Sequence, residues 1–489
     1  MKKWKNAGWK ILIALVLLYI VLLIPDTNNG HIIQAGKKPF FWNRDAVWQS
    51  METNFINAKQ LPQPALDSAI QFLKNIAENK LALIQNKTLP ATDSSFILIE
   101  NNFFILASFI AAKPGEVFWF TNYYNQFRNI IKLQSQQWNM KDVTVKNAMY
   151  TLLYGMRAAV EEVLLQTDPK RVSPVMLVQQ EKSSTPFCTI FGIEVHSGDL
   201  LVSRGGAEVS ALISRGNDYP GNFSHVALMY VEEKTNKPYL IEAHIEKGVA
   251  FSSVEKYIND KKLRFMVLRL QNNLPAMKQD SMLPQRAAKL MYDEASGRHI
   301  PYDFKMNFYD SSAMFCSEVT SYAYKKNGVQ LWQNISTISS PGVVNWLHDF
   351  GVENFVTQMP SDLEYDPQLA VVAEWRDPET LYKDHIDNAA MDALLQKANN
   401  GEQIEYSIWM LPIARIIKGY SWIKNVLGKP GMIPEGMSAT RALKNQTFVA
   451  MHAAVKSGTQ QMAADFINHH GYRPPYWQLV KFAEIAANK

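Results

Sequence analysis

The chain has 489 residues, 47% of them hydrophobic and 11% aromatic, and a formal charge of +5. This is the composition of a folded protein too long for one ordinary core, and it suggests about two to four units. The small charge, with no basic stripe beyond pairs such as Lys261-Lys262 and Lys325-Lys326, argues against a nucleic-acid partner. The only cysteines, Cys188 and Cys316, exclude a disulfide scaffold and a cysteine-rich zinc site, leaving at most one disulfide between them.

Lys2, Lys3, Lys5 and Lys10 precede an uninterrupted apolar run from Ile11 to Ile24, which Pro25-Asp26 ends. The run is short for a spanning helix, but Lys10 can snorkel and Trp9 can sit at the interface. No small-x-small cleavage site follows; Pro25-Asp26-Thr27-Asn28-Asn29 is a poor substitute. We read residues 1–30 as an uncleaved single-pass anchor in preference to a cleaved signal. The charges before the run put the N-terminus in the cytoplasm and the bulk of the chain outside it, in the periplasm of a Gram-negative cell. No lipobox-type cysteine follows, which excludes a lipoprotein.

Residues 31–171 read as a helical region. Leu66, Ile70, Leu73, Ala77 and Ile84 recur at three- and four-residue steps, and Val143 to Leu165 repeats the pattern until Thr167-Asp168-Pro169 stops it. Phe96 to Ile110 is strongly apolar, but Glu100-Asn101-Asn102 interrupts it, so a buried core helix is the reading and a second membrane span is not. No chemistry is visible here. A helical domain packed on a catalytic one is the expectation.

From about Val172 to Gln358 the texture changes. Short strands are predicted at Gly198–Ser203, Phe223–Tyr230, Tyr239–Ile245, Gly248–Ser252 and Phe265–Leu270, implying an antiparallel sheet or small barrel. A helix with Leu283, Ala287, Leu290 and Glu294 follows, then the loop Pro301-Tyr302-Asp303-Phe304. A second helix is predicted from about Ser312 to Lys326, closed by Asn327-Gly328. The segment Arg204 to Asn222, rich in Gly, Ser and Arg, reads either as a cover over a cleft or as an ordinary surface loop. In residues 359–489 the signals weaken, with helices at Met410–Val426 and Ser438–Ile467, separated by Gly428-Lys429-Pro430-Gly431 and Pro434-Glu435-Gly436. His469-His470, without a carboxylate nearby, reads as an exposed pair and not as a metal site.

Cysteine catalysis needs a thiolate, a base, a group that orients the base, and donors for the oxyanion. Cys316 falls near the start of a predicted helix, where Asp310, Ser311 or Ser312 can cap and the unpaired N–H groups favour negative charge. His225 is placed mid-strand on a rigid element. Glu242 in the next strand can orient it, with His244 two residues on as competitor. Taken singly these residues read as a buried thiol, a structural histidine and a surface carboxylate. Their joint order carries the signal.

Residues 197 to 331 resemble the permuted papain-like amidases of the YiiX/YaeF type, circularly permuted relatives of NlpC-type cell-wall cysteine peptidases. The matching segments are Gly198-Asp199-Leu200-Leu201, Ser224-His225-Val226-Ala227, Ile241-Glu242-Ala243, Pro301-Tyr302-Asp303-Phe304 and Phe315-Cys316-Ser317-Glu318-Val319. In ordinary papain-like enzymes the cysteine helix precedes the histidine strand; in the permuted group, as here, the order is reversed. The resemblance implies an α+β, permuted papain-like core with helical flanks. It also implies catalysis by Cys316 as nucleophile, His225 as base and Glu242 as orienting residue, with no cofactor and no metal, and with Tyr302 and Asp303 shaping the site. A peptide-like amide, cell-wall peptides included, is the first substrate class implied. A lipid amide or ester is the second, through the more distant lecithin retinol acyltransferases. Two readings of another class stay open: a catalytically silent binding domain, and a membrane scaffold built on the helical flanks.

Overall fold

The computed structural model describes residues 2–489 apart from 27–29, 31, 43–44, 333–335, 428 and 430, and the side chains of 2–8 and 11. The Thr27-Asn28-Asn29 part of the cleavage-site reading, and Gly428 and Pro430 of the predicted break, lie outside those residues.

Among the described residues eleven strands form, at Val175–Leu177 (β1), Phe187–Ile190 (β2), Ile193–His196 (β3), Leu200–Gly205 (β4), His225–Val231 (β5), Pro238–His244 (β6), Gly248–Ser252 (β7), Lys262–Leu270 (β8), Ser336–Thr337 (β9), Val356–Thr357 (β10) and Leu369–Trp375 (β11). Seven make one antiparallel sheet in the order β1-β11-β8-β4-β5-β6-β7. Alternate residues of the central strands feed two separate cores, because successive side chains in a strand point to opposite faces. Val226 and Leu228 join a core with Val319 and Ala323 of the helix Cys316–Lys326. Ala227 and Met229 join one with Ile190 and Val195 of the β2–β3 hairpin. A sheet buried on both faces is stiff, and the site stands at its end.

The sheet runs past the boundary expected at 358. β11 pairs with β8 along Leu369–Trp375 and with β1 at Val175–Leu177. Residues 204–222 are no surface loop: they hold the helix Glu208–Arg215, with Arg204 and Arg215 buried.

Helices at Asp45–Gln60, Gln63–Gln85, Ser94–Ala112, Val117–Ser135 and Val143–Tyr150, the last continuing through a π turn at Thr151–Gly155 into Met156–Leu165, make a layer with its own aromatic core. Ser94–Ala112 is apolar and long enough to span a membrane, yet Phe96, Ile99, Phe103 and Phe104 are buried in that core. The layer is fastened to the sheet by buried ion pairs. Arg128 meets Glu374 of β11, and Arg157 Nε meets Glu364 Oε1 at 2.8 Å. Arg264 of β8 pairs with Glu161 and, at 2.6 Å, with Asp384 in the helix Pro378–Asn399. Such pairs fix geometry more than they add stability.

The N-terminal helix is Lys2–Leu22. Its apolar stretch among the described residues, Leu12–Leu22, is shorter than a membrane-spanning helix of about 20 residues.

Candidate active site

β5 and β6 pair in a register that sets Glu242 opposite Ala227, so His225 and Glu242 sit diagonally across adjacent strands. Glu242 Oε2 lies 2.8 Å from His225 Nε2, and its other oxygen lies 3.5 Å from His244 Nε2. The two imidazoles stack with centroids 5.8 Å apart. Glu242 is therefore held between two histidines, and the candidates for the third position share one carboxylate. His225 is the first residue of β5, not mid-strand, which leaves its ring half-buried at the sheet's end.

With Nε2 facing Glu242, His225 also neighbours Cys316, whose thiol donates to Ser224 O at 3.9 Å. Burial alone would lower the His225 pKa. Its interactions with Cys316 and with the Glu242 carboxylate, which accepts from the ring, outweigh it and raise the pKa from 6.5 to about 10. Burial works against ionised Glu242 too, but its bonds to His225 and His244 hold the carboxyl well below its ordinary 4.5. The histidine is thus kept protonated beside the thiol.

Cys316 is the first residue of its helix and is 5% exposed. The predicted start at Ser312 is corrected. The residues just before Cys316 are not helical, because Met314 bridges to Tyr302, Met314 N–H donating to Pro301 O at 3.0 Å. Asp310 instead accepts from Ser312 N–H at 3.0 Å in a local turn. The end of the helix is closed by Glu318, which accepts the Phe315 N–H at 3.0 Å. The first N–H groups of a helix have no intrahelical acceptor, so those beside Cys316 can face an oxyanion. Cys188 and Cys316 are both free, which removes the disulfide alternative.

The segment Pro301–Phe304 walls the site. Gly248 of β7 has φ +71°, and a Cβ there would lie 2.0 Å from Ile300 O, so only glycine lets the segment come this close. Burial and the neighbouring Cys316 push the Tyr302 hydroxyl well above 10. Asp303 accepts from Lys305 N–H at 2.8 Å and Asn307 N–H at 2.6 Å, shaping the loop that leads to the helix.

Glu318 is the residue to which sequence reasoning gave no role. Burial, with Asp303, Cys316 and Asp310 nearby, raises its carboxyl to about 9 against the bond from Phe315. At neutral pH it is uncharged, and so caps the helix without opposing a thiolate. Its signal was the acid three residues after an N-cap. Away from the site, His469 Nδ1 lies 2.7 Å from Asp465 O, and the His470 ring packs tilted against Phe466 with centroids 4.2 Å apart.

Residues 194–373 match the family model described as permuted papain-like amidase enzyme, YaeF/YiiX, C92 family. That segment is a domain of this family. The match begins in β3 and ends within β11, so the family domain includes the strand beyond 358. The α+β fold and the papain-like amidase class follow for this domain. No curated protein and no solved structure matches the chain.

Proposed function

We propose that the chain is a thiol-dependent hydrolase that cleaves an amide bond of a peptide-like substrate through an acyl-enzyme, with Cys316 as nucleophile, His225 as acid and base, and Glu242 as the orienting group. The observation that carries this is His225 at the sheet's end, with Nε2 2.8 Å from Glu242 Oε2 and Cys316 as its neighbour at the start of the helix. Cys316 Sγ attacks the carbonyl carbon, and the N–H groups at the helix start hold the oxyanion. His225 gives its proton to the departing nitrogen, then takes one from the water that cleaves the thioester. Glu242 keeps the ring oriented and charged, and His244 braces Glu242 from the other side.

Residues 1–30 serve in this reading as the membrane anchor, with the catalytic domain outside the cytoplasm. The exposed side chains of Trp9, Leu12, Leu15 and Leu18 support that role.

The test is acylation of the full-length protein by p-nitrophenyl acetate, read as a burst of p-nitrophenolate. One equivalent is expected from the wild type and none from Cys316→Ser, with His225→Ala slower by on the order of 10²–10⁴-fold. A burst that survives Cys316→Ser would end the proposal.

A further inference from the structure

Beyond the catalytic domain, the helix Leu411–Val426 is built inside out. Trp409, Ile413, Ile416, Tyr420, Ile423 and Leu427 recur at alternating four- and three-residue steps, and all are exposed. Ile416 and Leu427 are each 68% exposed, and Trp422 beside them 64%. The opposite side, Leu411, Ala414 and Ser421, is the buried one. An apolar stripe of this length on a monomer marks a surface that meets something apolar.

Its place in the molecule says what. Arg415 ties the helix to the end of Lys2–Leu22: it donates to Val21 O at 3.1 Å, to Ile24 O, and pairs with Asp26 at 3.1 Å. Asp26 is held in turn by Thr440, whose hydroxyl donates to Asp26 Oδ2 at 3.0 Å. The stripe therefore adjoins the N-terminal apolar helix where that helix ends. The segment LPIARIIKGYSWIKNV has three cationic side chains, Arg415, Lys418 and Lys424, and no Asp or Glu. Exposed Trp, Tyr and Ile on a helix without acidic residues, with Lys424 beside them, describe a helix that lies in a bilayer interface.

The same element reaches the site. Lys418 Nζ donates to Pro434 O and Glu435 O, each at 2.7 Å, holding the turn after the helix. Glu435 Oε2 lies 3.4 Å from His299 Nε2, and a Cβ on Gly436 would stand 2.6 Å from the Phe304 ring. Phe304 packs edge-on against Tyr302 at 5.0 Å, and Tyr302 neighbours Cys316.

We propose that Leu411–Val426 docks in the lipid interface beside the N-terminal helix and holds the Pro301–Phe304 wall at the bilayer surface, so that Cys316 acts on amphiphiles embedded there. The substrate half rests on the proposed catalysis by Cys316; the docking half does not. On such a substrate Cys316 Sγ bonds to the acyl carbon, the bond from that carbon to nitrogen or oxygen breaks, and His225 supplies the leaving group's proton. Water then releases the acid and restores the thiol.

Two measurements on the full-length chain, in vesicles of phosphatidylethanolamine and phosphatidylglycerol, test the two halves. In a Cys188→Ser, Cys316→Ser background, Ile416→Cys carrying a nitrobenzoxadiazole label should emit to the blue and be quenched by nitroxide-labelled acyl chains. The same label at Lys278→Cys should report water. Equal emission at the two positions overturns docking. With both native cysteines in place, the burst rates from vesicle-borne p-nitrophenyl laurate and aqueous p-nitrophenyl acetate are compared. Ile416→Asp with Ile423→Asp should lower the laurate-to-acetate ratio at least tenfold; an unchanged ratio overturns the substrate half. Absence of any burst that Cys316→Ser removes overturns the catalytic reading and the substrate half with it, while the label at 416 still decides docking.

Discussion

The sheet strand β5 and the helix Leu411–Val426 draw on the same kinds of residue and use them oppositely. Along His225–Val231 every residue after the histidine is buried, and the apolar side chains divide between two cores. Along the helix Ile413, Ile416, Tyr420, Trp422 and Ile423 face outward, while Leu411, Ala414 and Ser421 face inward. One segment presents His225 at the site, and the other holds the turn at Pro434 and Glu435 that leads to Gly436 beside Phe304. The lesson is that apolar content locates a rigid catalytic support only when it is buried; exposed, it describes surroundings.

The contrast breaks first in the sheet. Leu228, fully buried, pairs with Leu200 on β4 and Ile241 on β6. Leu228→Ala should cost about 2–5 kcal/mol, the transfer term plus the cavity it leaves. Because His225 and Glu242 hang from β5 and β6, thermal unfolding and the loss of iodoacetamide selectivity for Cys316 should move together. A variant that lost stability with the Cys316 rate intact would separate the site from its support.

A smaller and more local effect is expected from Glu242→Gln. The catalytic form needs protonated His225, so kcat/KM should fall as pH rises through about 10 in the wild type. Without the carboxylate, that limb should move down towards the ordinary 6.5, with activity at pH 8 lower by up to about 30-fold. Stability follows the same signs. The raised histidine contributes fully below about 6.5 and loses its contribution as pH rises through about 10. The depressed carboxyl contributes above about 4.5 and loses its share as pH falls through its lower folded value. The gap in Tm between wild type and Glu242→Gln should therefore be widest near pH 5 to 6.5 and close above pH 10. A gap that widened with pH would mean His225 is not the partner.

How far this was legible in the sequence depended on local pattern. Strands β4 to β8 show as short runs of strand formers between turns, and the Cys316 helix shows through Val319, Tyr322 and Ala323. The placing of Cys316 near His225 and Glu242 was legible only through the ordered motifs of a family, because no local rule links a residue to others 91 and 74 positions away. β11 was missed because Leu369-Ala370-Val371-Val372-Ala373 is continuously apolar, and such a run has no period to read. The helix Pro378–Asn399 was missed for the opposite reason. Asp384, Asp387 and Asn388 are buried, so the polar face that marks a surface helix is turned inward onto Arg204 and Arg264. The contact of Gly436 with Phe304 joins segments with no shared pattern at all.

The least effect belongs to the outward stripe, and its smallness is informative. Ile416→Ala removes as much side chain as a core truncation, but Ile416 is 68% exposed and leaves no cavity. In detergent-free buffer or in a mild detergent, ΔG of unfolding should change by no more than about 0.5 kcal/mol. The same substitution removes apolar surface of about 0.8 kcal/mol per methylene from whatever covers the stripe. Measured by flotation with vesicles, Ile416→Ala together with Ile423→Ala should weaken membrane association while denaturant midpoints stay within error. If instead the pair lowered stability by 2 kcal/mol or more, the stripe would be packed against protein, and the opposition between the two regions would fail.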